Sequence, residues 1–162
     1  MKNRSGFVSN SSSSSFIVFH SNVNDTLING LKNKYKGEEL IVDANLGYSQ
    51  FGWEFATHCE FGSKLIFCYL QVKYSPDSDQ VRLLDMLERS LKRNLEVKNV
   101  EWKINLDSSN DPNWGYIDHQ SAAHEGKNIE MFEDDDKLDC FLFSENSYIQ
   151  TGNDNEDGYY YD

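Results

Sequence analysis

A near-continuous apolar run occupies residues 64–74, Lys64-Leu65-Ile66-Phe67-Cys68-Tyr69-Leu70-Gln71-Val72-Lys73-Tyr74. Such a run fits a central β-strand that is covered on both faces. At 11 residues it is far shorter than the roughly 18–20 apolar residues that a membrane-spanning helix requires. The run therefore predicts a central strand of a buried sheet and argues against an integral membrane protein.

The segment that follows this run carries a helical pattern. Pro76 and Asp77 mark its start, and large apolar residues recur at spacings of three and four: Val81, Leu84, Leu87, Leu91 and Leu95. Four basic residues lie between them, for which a solvated helix face is expected: Arg82, Arg89, Lys92 and Arg93. The pattern predicts a long amphipathic helix packed on the core.

Shorter patterns predict the remaining elements. Asn24 and Gly37 are the expected start and stop of a helix, and residues 133–139 are expected to form a short acidic helix before the apolar residues 140–143. Strands are predicted around residues 16–19, 39–43, 47–55, 97–106 and 148–149. Because several strands follow one another without helices, we expect an α+β fold with two to three helices and one mixed or mainly antiparallel sheet of five to six strands.

Charge is distributed unevenly along the 162 residues. There are 27 acidic and 15 basic residues, and residues 130–162 hold eleven of the acids with a single base, Lys137. A net charge of −12 disfavours an ordinary nucleic-acid-binding protein, which needs a surplus of Lys and Arg. We expect a flexible Ser-rich leader over residues 1–15, one domain over residues 16–151, and an acidic, Tyr-rich tail over residues 152–162.

The tail is the predicted contact with a partner. Its acids would steer a protein with a basic surface, and its consecutive tyrosines would anchor it. The residues assigned to this role are Asp154, Glu156, Asp157, Tyr159, Tyr160 and Tyr161. A solvated, frayed terminus is the competing interpretation.

An alternative site centres on Asp118 and His119. If the protein is an enzyme, Asp118 and Asp154 would ligate a divalent cation, and His119 would move a proton on an attacking water. Neighbouring residues on a strand point to opposite faces, so Asp118 and His119 share a site only in a turn. No recognised metal, nucleophile or phosphate-loop motif accompanies them, and no cofactor is expected under the leading hypothesis.

The three cysteines, Cys59, Cys68 and Cys140, are odd in number and show no C-x-x-C spacing. Reduced thiols in a reducing cytosol are therefore expected. The basic N-terminus leads into serines rather than into an apolar segment, which argues against a signal peptide.

Three short segments carry a resemblance. Arg4-Ser5-Gly6-Phe7-Val8-Ser9-Asn10, running into the serines and residues 16–18, resembles the opening of many small uncharacterised proteins of bacteriophages and their bacterial hosts. Residues 116–121 and 147–155 resemble later segments of such proteins. The resemblance implies a phage-related protein of the bacterial cytoplasm, or a component of a phage particle, and implies no catalytic residue.

The leading hypothesis is thus an acidic phage-type protein that binds a host or phage protein without turnover. A metal-dependent hydrolase or nucleotide-binding protein using Asp118, His119 and Asp154 is the first alternative, and a structural virion component is the second. Sequence does not predict the oligomeric state.

Overall fold

A computed structural model describes residues 3–5, 14–52, 55–118 and 129–152. Within these ranges the helices are α1 (Asp25–Tyr35), α2 (Phe61–Tyr74), α3 (Asp77–Leu95) and α4 (Asp135–Phe143), with a 3-10 turn at Glu130–Phe132. The strands are β1 (Asn3–Ser5), β2 (Ser14–Phe19), β3 (Glu39–Val42), β4 (Gln50–Phe51), β5 (Ala56–His58), β6 (Asn99–Trp102), β7 (Tyr116–Ile117) and β8 (Tyr148–Gly152). The mixed helix and strand content is that of an α+β protein.

The predicted central strand at residues 64–74 is wrong, because this segment forms most of helix α2. Every residue from Phe61 to Val72 is buried, and α2 packs against α3, α4, β3 and β7. A helix that is apolar on all sides belongs inside a protein, and its sequence has no polar face to reveal the helical period. A continuous apolar run therefore could not distinguish a buried strand from a buried helix.

The start of α2 is pressed against the loop before β4. A Cβ atom on Gly62 would lie 1.9 Å from the carbonyl oxygen of Leu46, and one on Gly47 would lie 2.2 Å from the amide nitrogen of Ser63. Backbone can approach backbone this closely only where neither residue carries a side chain. The two glycines thus set how deeply α2 enters the core.

The single sheet of five to six strands is not confirmed. One sheet has four antiparallel strands in the order β1-β2-β8-β5. Two further pairs, β3 with β6 and β4 with β7, are parallel. An isolated parallel bridge between Asn105 and Trp114 lies in the segment between β6 and β7. Because residues 64–74 are helical, the long central strand that was expected to join the sheet does not form. The remaining strands are short and pair in these smaller groups.

Helices α1 and α3 follow the predictions closely. Asn24 caps α1 through a bond from the Leu27 amide to its side chain, and Gly37 adopts φ +75° just beyond the helix. On α3, Leu83, Leu87, Leu91 and Leu95 are fully buried, whereas Val81 at its start is 79% exposed. The buried stripe therefore begins at Leu83 rather than at Val81.

The acidic helix near residue 133 exists but is longer and starts later than predicted. Asp134 caps α4 by accepting from the Lys137 amide at 2.7 Å, and the helix continues through the apolar residues 140–143. Leu138, Phe141, Leu142 and Phe143 are buried against the core. The acidic start and the apolar end thus belong to one amphipathic element.

Candidate functional site

Asp118 lies in the interior, directly after β7. Its carboxylate is fully buried and accepts a hydrogen bond from the Tyr116 hydroxyl at 3.0 Å, while its amide donates to the Phe51 carbonyl oxygen at 2.8 Å. Gly52 (φ +130°) packs so closely that a Cβ atom there would lie 2.5 Å from the Asp118 Cβ. These contacts hold the end of β7 against β4, which is a structural role.

The other members of the predicted hydrolytic site cannot be placed beside Asp118. His119 and Asp154 both lie outside the described residues. Among the residues with described positions, no three His, Cys, Asp or Glu side chains group in a way that could hold a metal ion. The convergence of Asp118, His119 and Asp154 on one site therefore stays a prediction.

The predicted partner-binding tail begins at Gly152, the last residue of strand β8. Strand β8 lies between β2 and β5, with Gly152 opposite Ser14 and Thr151 opposite Ala56. Phe55, which precedes β5, is 71% exposed. The six tail residues assigned to the partner lie outside the described residues: Asp154, Glu156, Asp157, Tyr159, Tyr160 and Tyr161.

Because neighbouring strands lie about 4.8 Å apart, this register sets Gly152 close to the backbone of Phe55. Exposed single hydrophobic residues are ordinary on protein surfaces, but a ring at the root of a charged tail is well placed to act with it. The sequence pointed to the aromatic segment around Phe55 but not to its neighbour across the sheet.

Acids in the first part of residues 130–162 are used inside the fold. Asp139 accepts from the Ser90 hydroxyl and from the Arg93 guanidinium, both at 2.6 Å. Asp135 pairs with Arg89 at 3.2 Å and with Arg93 at 3.3 Å. The expected solvated face of α3 is therefore partly an ion-paired contact with α4, and these carboxylates raise the pKa of Arg93.

Lys64 is a special residue that the sequence patterns above did not single out. Its side chain is fully buried, and its ammonium group donates to the carbonyl oxygens of Ser144 at 2.6 Å and Ser147 at 3.3 Å. Burial lowers its pKa to about 8, against weaker opposing effects of Cys59, Cys68, Glu145 and Glu60. A lysine inside an otherwise apolar run was the signal that could have identified it.

None of the three cysteines forms a disulfide bond. All three are free thiols, with Cys59 exposed, Cys68 buried and Cys140 half-buried. Burial raises the pKa of Cys68 far above its usual range, so its thiol stays protonated.

A shallow groove of about 440 Å³ runs beside Trp102. The indole stacks on Tyr69 with ring centroids 4.6 Å apart. The charged side chains along the groove are Lys73, Lys103 and Asp107, and Lys103 also pairs with Glu101 at 2.9 Å.

Comparisons with family models, with curated proteins and with solved structures find no match for this chain. Across the ranges that the structure describes, none of the helices has the length and apolar character needed to span a bilayer.

Proposed function

We propose that this protein acts by binding a host or phage protein in the bacterial cytoplasm, without turnover, and that the partner presents a basic surface. The observation that carries the proposal is the position of β8. The acidic, Tyr-rich tail begins at Gly152, inside a four-stranded sheet and beside the exposed ring of Phe55.

Strand β8 gives the tail a defined starting point within the sheet. Ile149 and Thr151 of β8 are buried, and the strand is paired on both sides. Residues beyond Gly152 include four acids and three tyrosines but no Lys or Arg. Charges of one sign steer a complementary partner, while aromatic side chains supply most of the binding energy at interfaces.

The internal ion pairs support the choice of the tail over the acids of α4. Asp134, Asp135 and Asp139 are engaged in capping α4 or in binding α3, and Glu133 pairs with Lys137. Their charge is partly neutralised within the fold. Residues 140–162, in contrast, contain five acids and no Lys or Arg.

Affinity capture from bacterial lysate tests the proposal. The baits are the intact chain, a chain ending at Gly152, and a chain with Asp154→Asn, Glu156→Gln and Asp157→Asn. A matched control removes three charges from exposed acids away from both the tail and β3, with Asp25→Asn, Asp77→Asn and Asp107→Asn.

We expect one protein to be captured by the intact chain and by the control, and to be lost with both tail variants. Its retention should also fall as salt rises from 50 to about 300 mM, since exposed charges are screened. Equal capture by all four baits would refute a tail-dependent interaction. Capture of nucleic acid instead of protein would refute the partner class.

A further inference from the structure

We propose that the open edge of β3 is a second docking site, which takes an extended segment of a partner protein as an added strand. The segment would carry an apolar residue with a basic residue two positions away on each side. This inference rests on the proposed function only in taking a basic protein as the partner.

One edge of β3 is paired and the other is open. The carbonyl oxygens of Glu38 and Val42 accept from the amides of Lys98 at 2.8 Å and Lys103 at 2.9 Å, on the side of β6. Backbone groups alternate between the two sides of a strand, so the N–H and C=O groups of Glu39 and Ile41 point to the opposite side. In the described part of the chain no other strand pairs with β3 there.

The outer face of this strand pair is acidic around an apolar centre. Leu40 and Val42 are fully buried, whereas Ile41 on the other face is 40% exposed. Ile41 lies opposite Glu101 of β6. Glu39 and Ile41 alternate with the buried Leu40 and Val42, so both lie on the outer face, and Lys103 pairs with Glu101 at 2.9 Å. Glu39 and Asp43 also lie near enough to contribute to the raised pKa of Lys103.

The chemistry of the occupant follows from this arrangement. An added strand would pair with the backbone groups of Glu39 and Ile41 that point away from β6, as peptides do when they extend a sheet. Side chains directly opposite on neighbouring strands are about 4.5–5.5 Å apart, so an apolar residue would contact Ile41 while basic residues approach the flanking acids. A second copy is a poor occupant, because antiparallel self-pairing about Ile41 would set Glu39 opposite Asp43.

Peptide binding to the intact protein tests the site directly. The probe is a capped Lys-Thr-Val-Thr-Lys peptide, and the control is Glu-Thr-Val-Thr-Glu. Titration of the ¹⁵N-labelled protein should shift the amide signals of Glu39 and Ile41 with the basic probe, and the affinity should fall at least threefold between 20 and 200 mM salt.

A matched pair of variants separates the strand edge from general charge attraction. Ile41→Pro removes one N–H group at the open edge while leaving the bonds to β6 intact, which an edge strand tolerates. Ile41→Thr keeps that N–H group. We expect at least a tenfold loss of affinity in Ile41→Pro and less than a threefold loss in Ile41→Thr.

Saturable binding with this pattern supports the site. Equal shifts with the acidic peptide, no binding of the basic one, or unchanged affinity in Ile41→Pro would overturn it. If Ile41→Pro fails to fold, the salt dependence and the acidic peptide on the unmodified protein still decide. A dimer in sedimentation that Ile41→Pro disrupts would overturn it in favour of self-association.

The two proposals fail separately. Peptide binding that persists in the chain ending at Gly152, together with tail-independent capture, would leave the β3 site standing and remove the tail. Tail-dependent capture without peptide binding would support the tail and overturn the β3 site.

Discussion

Lys64 and Ser144 are joined by a buried hydrogen bond of 2.6 Å between the ammonium group and the backbone carbonyl oxygen. Ser144 is the C-terminal cap of α4, so the bond ties α2 to the end of α4 just before β8 begins. A cation near a helix C-terminus is favoured by the helix dipole. The contact therefore joins α2 to the connection between α4 and β8.

Because Lys64 is buried, the free energy of unfolding should rise as the pH is raised above 7. Lys64 has a pKa of about 8 in the folded protein and 10.5 as a free side chain, so the unfolded chain binds more protons between these values. Its contribution should become more favourable by about 2 kcal/mol from pH 7 to pH 9.5.

Urea unfolding of the wild type and of Lys64→Met at both pH values measures this effect. The free energy of unfolding of the wild type relative to the variant should rise with pH. Titration of the cysteines and tyrosines is common to both chains and cancels in the difference. A difference that is constant from pH 7 to pH 9.5 would contradict the assignment.

Replacing Gln71 with methionine should stabilise the protein. Gln71 is fully buried in α2, and neither Oε1 nor Nε2 has a hydrogen-bond partner in the described structure. Because an unpaired buried amide is costly, Gln71→Met should raise the free energy of unfolding by about 1–3 kcal/mol.

The matched control is Gln80→Met. The Gln80 amide donates to the Ser75 carbonyl oxygen at 2.9 Å, so its loss should not stabilise. Thermal and urea unfolding of both variants provide the comparison. Destabilisation by Gln71→Met would contradict an unpaired amide at this position.

The contact between α3 and α4 should depend on Asp139. Its carboxylate accepts from Ser90 and Arg93 and is only 14% exposed. Bonds to a charged acceptor are the stronger ones, so Asp139→Asn should lower the free energy of unfolding by about 1–3 kcal/mol.

Asp136→Asn, an exposed change on the same helix, should stay within about 0.5 kcal/mol of the wild type. Equilibrium unfolding in low salt distinguishes the two substitutions. Equal effects would mean that the ion pairs add nothing to the packing of α3 on α4.

Two Gly→Ala substitutions in helices should have opposite signs. Gly30 lies in α1, and nothing lies within 4 Å of the position that a Cβ atom would take there, so Gly30→Ala should stabilise by about 0.5–1 kcal/mol. A Cβ atom on Gly62 in α2 would lie 1.9 Å from the Leu46 carbonyl oxygen, so Gly62→Ala must displace backbone.

We expect the loss of stability in Gly62→Ala to be about 3 kcal/mol or more, as for severe overpacking. Melting temperatures of the two variants check the sign directly. A neutral Gly62→Ala would argue against the close approach of α2 to residues 46–47.

Phe55 should matter for the partner and not for the fold. Because its ring is 71% exposed, Phe55→Ser should leave the melting temperature within about 2 °C, yet weaken capture of a tail-dependent partner. Val81→Ser, at an equally exposed position on α3, is the control. Equal capture by both variants would exclude Phe55 from the interface.

Local signals in the sequence were sufficient for several elements. The cap at Asn24, the stop at Gly37 and the apolar period of α3 predicted two helices. The short run of residues 39–43 predicted β3. Each of these signals depends on contacts within one element or on one buried face, so neighbouring residues alone contain it.

The contacts of the candidate site residues could not be predicted from neighbouring residues alone. Asp118 could be singled out as an acid beside a histidine, but only the packing of β7 on β4 revealed that its carboxylate is buried and bonded to Tyr116. The acids of residues 130–139 were recognised as a charged group. Asp135 and Asp139 pair with residues of α3 that lie about 45 positions earlier in the sequence. Such pairing can be seen only once the two helices are packed together.

The sequence by itself determined an acidic α+β chain with an amphipathic α3 and a tail that carries acids and tyrosines without bases. Only the tertiary structure decided that residues 64–74 are the buried helix α2, that the described strands divide into small sheets, and that β8 lies between β2 and β5. The physical reason is that burial on all sides removes the period that identifies a helix, and strand pairing is set by contacts between distant segments.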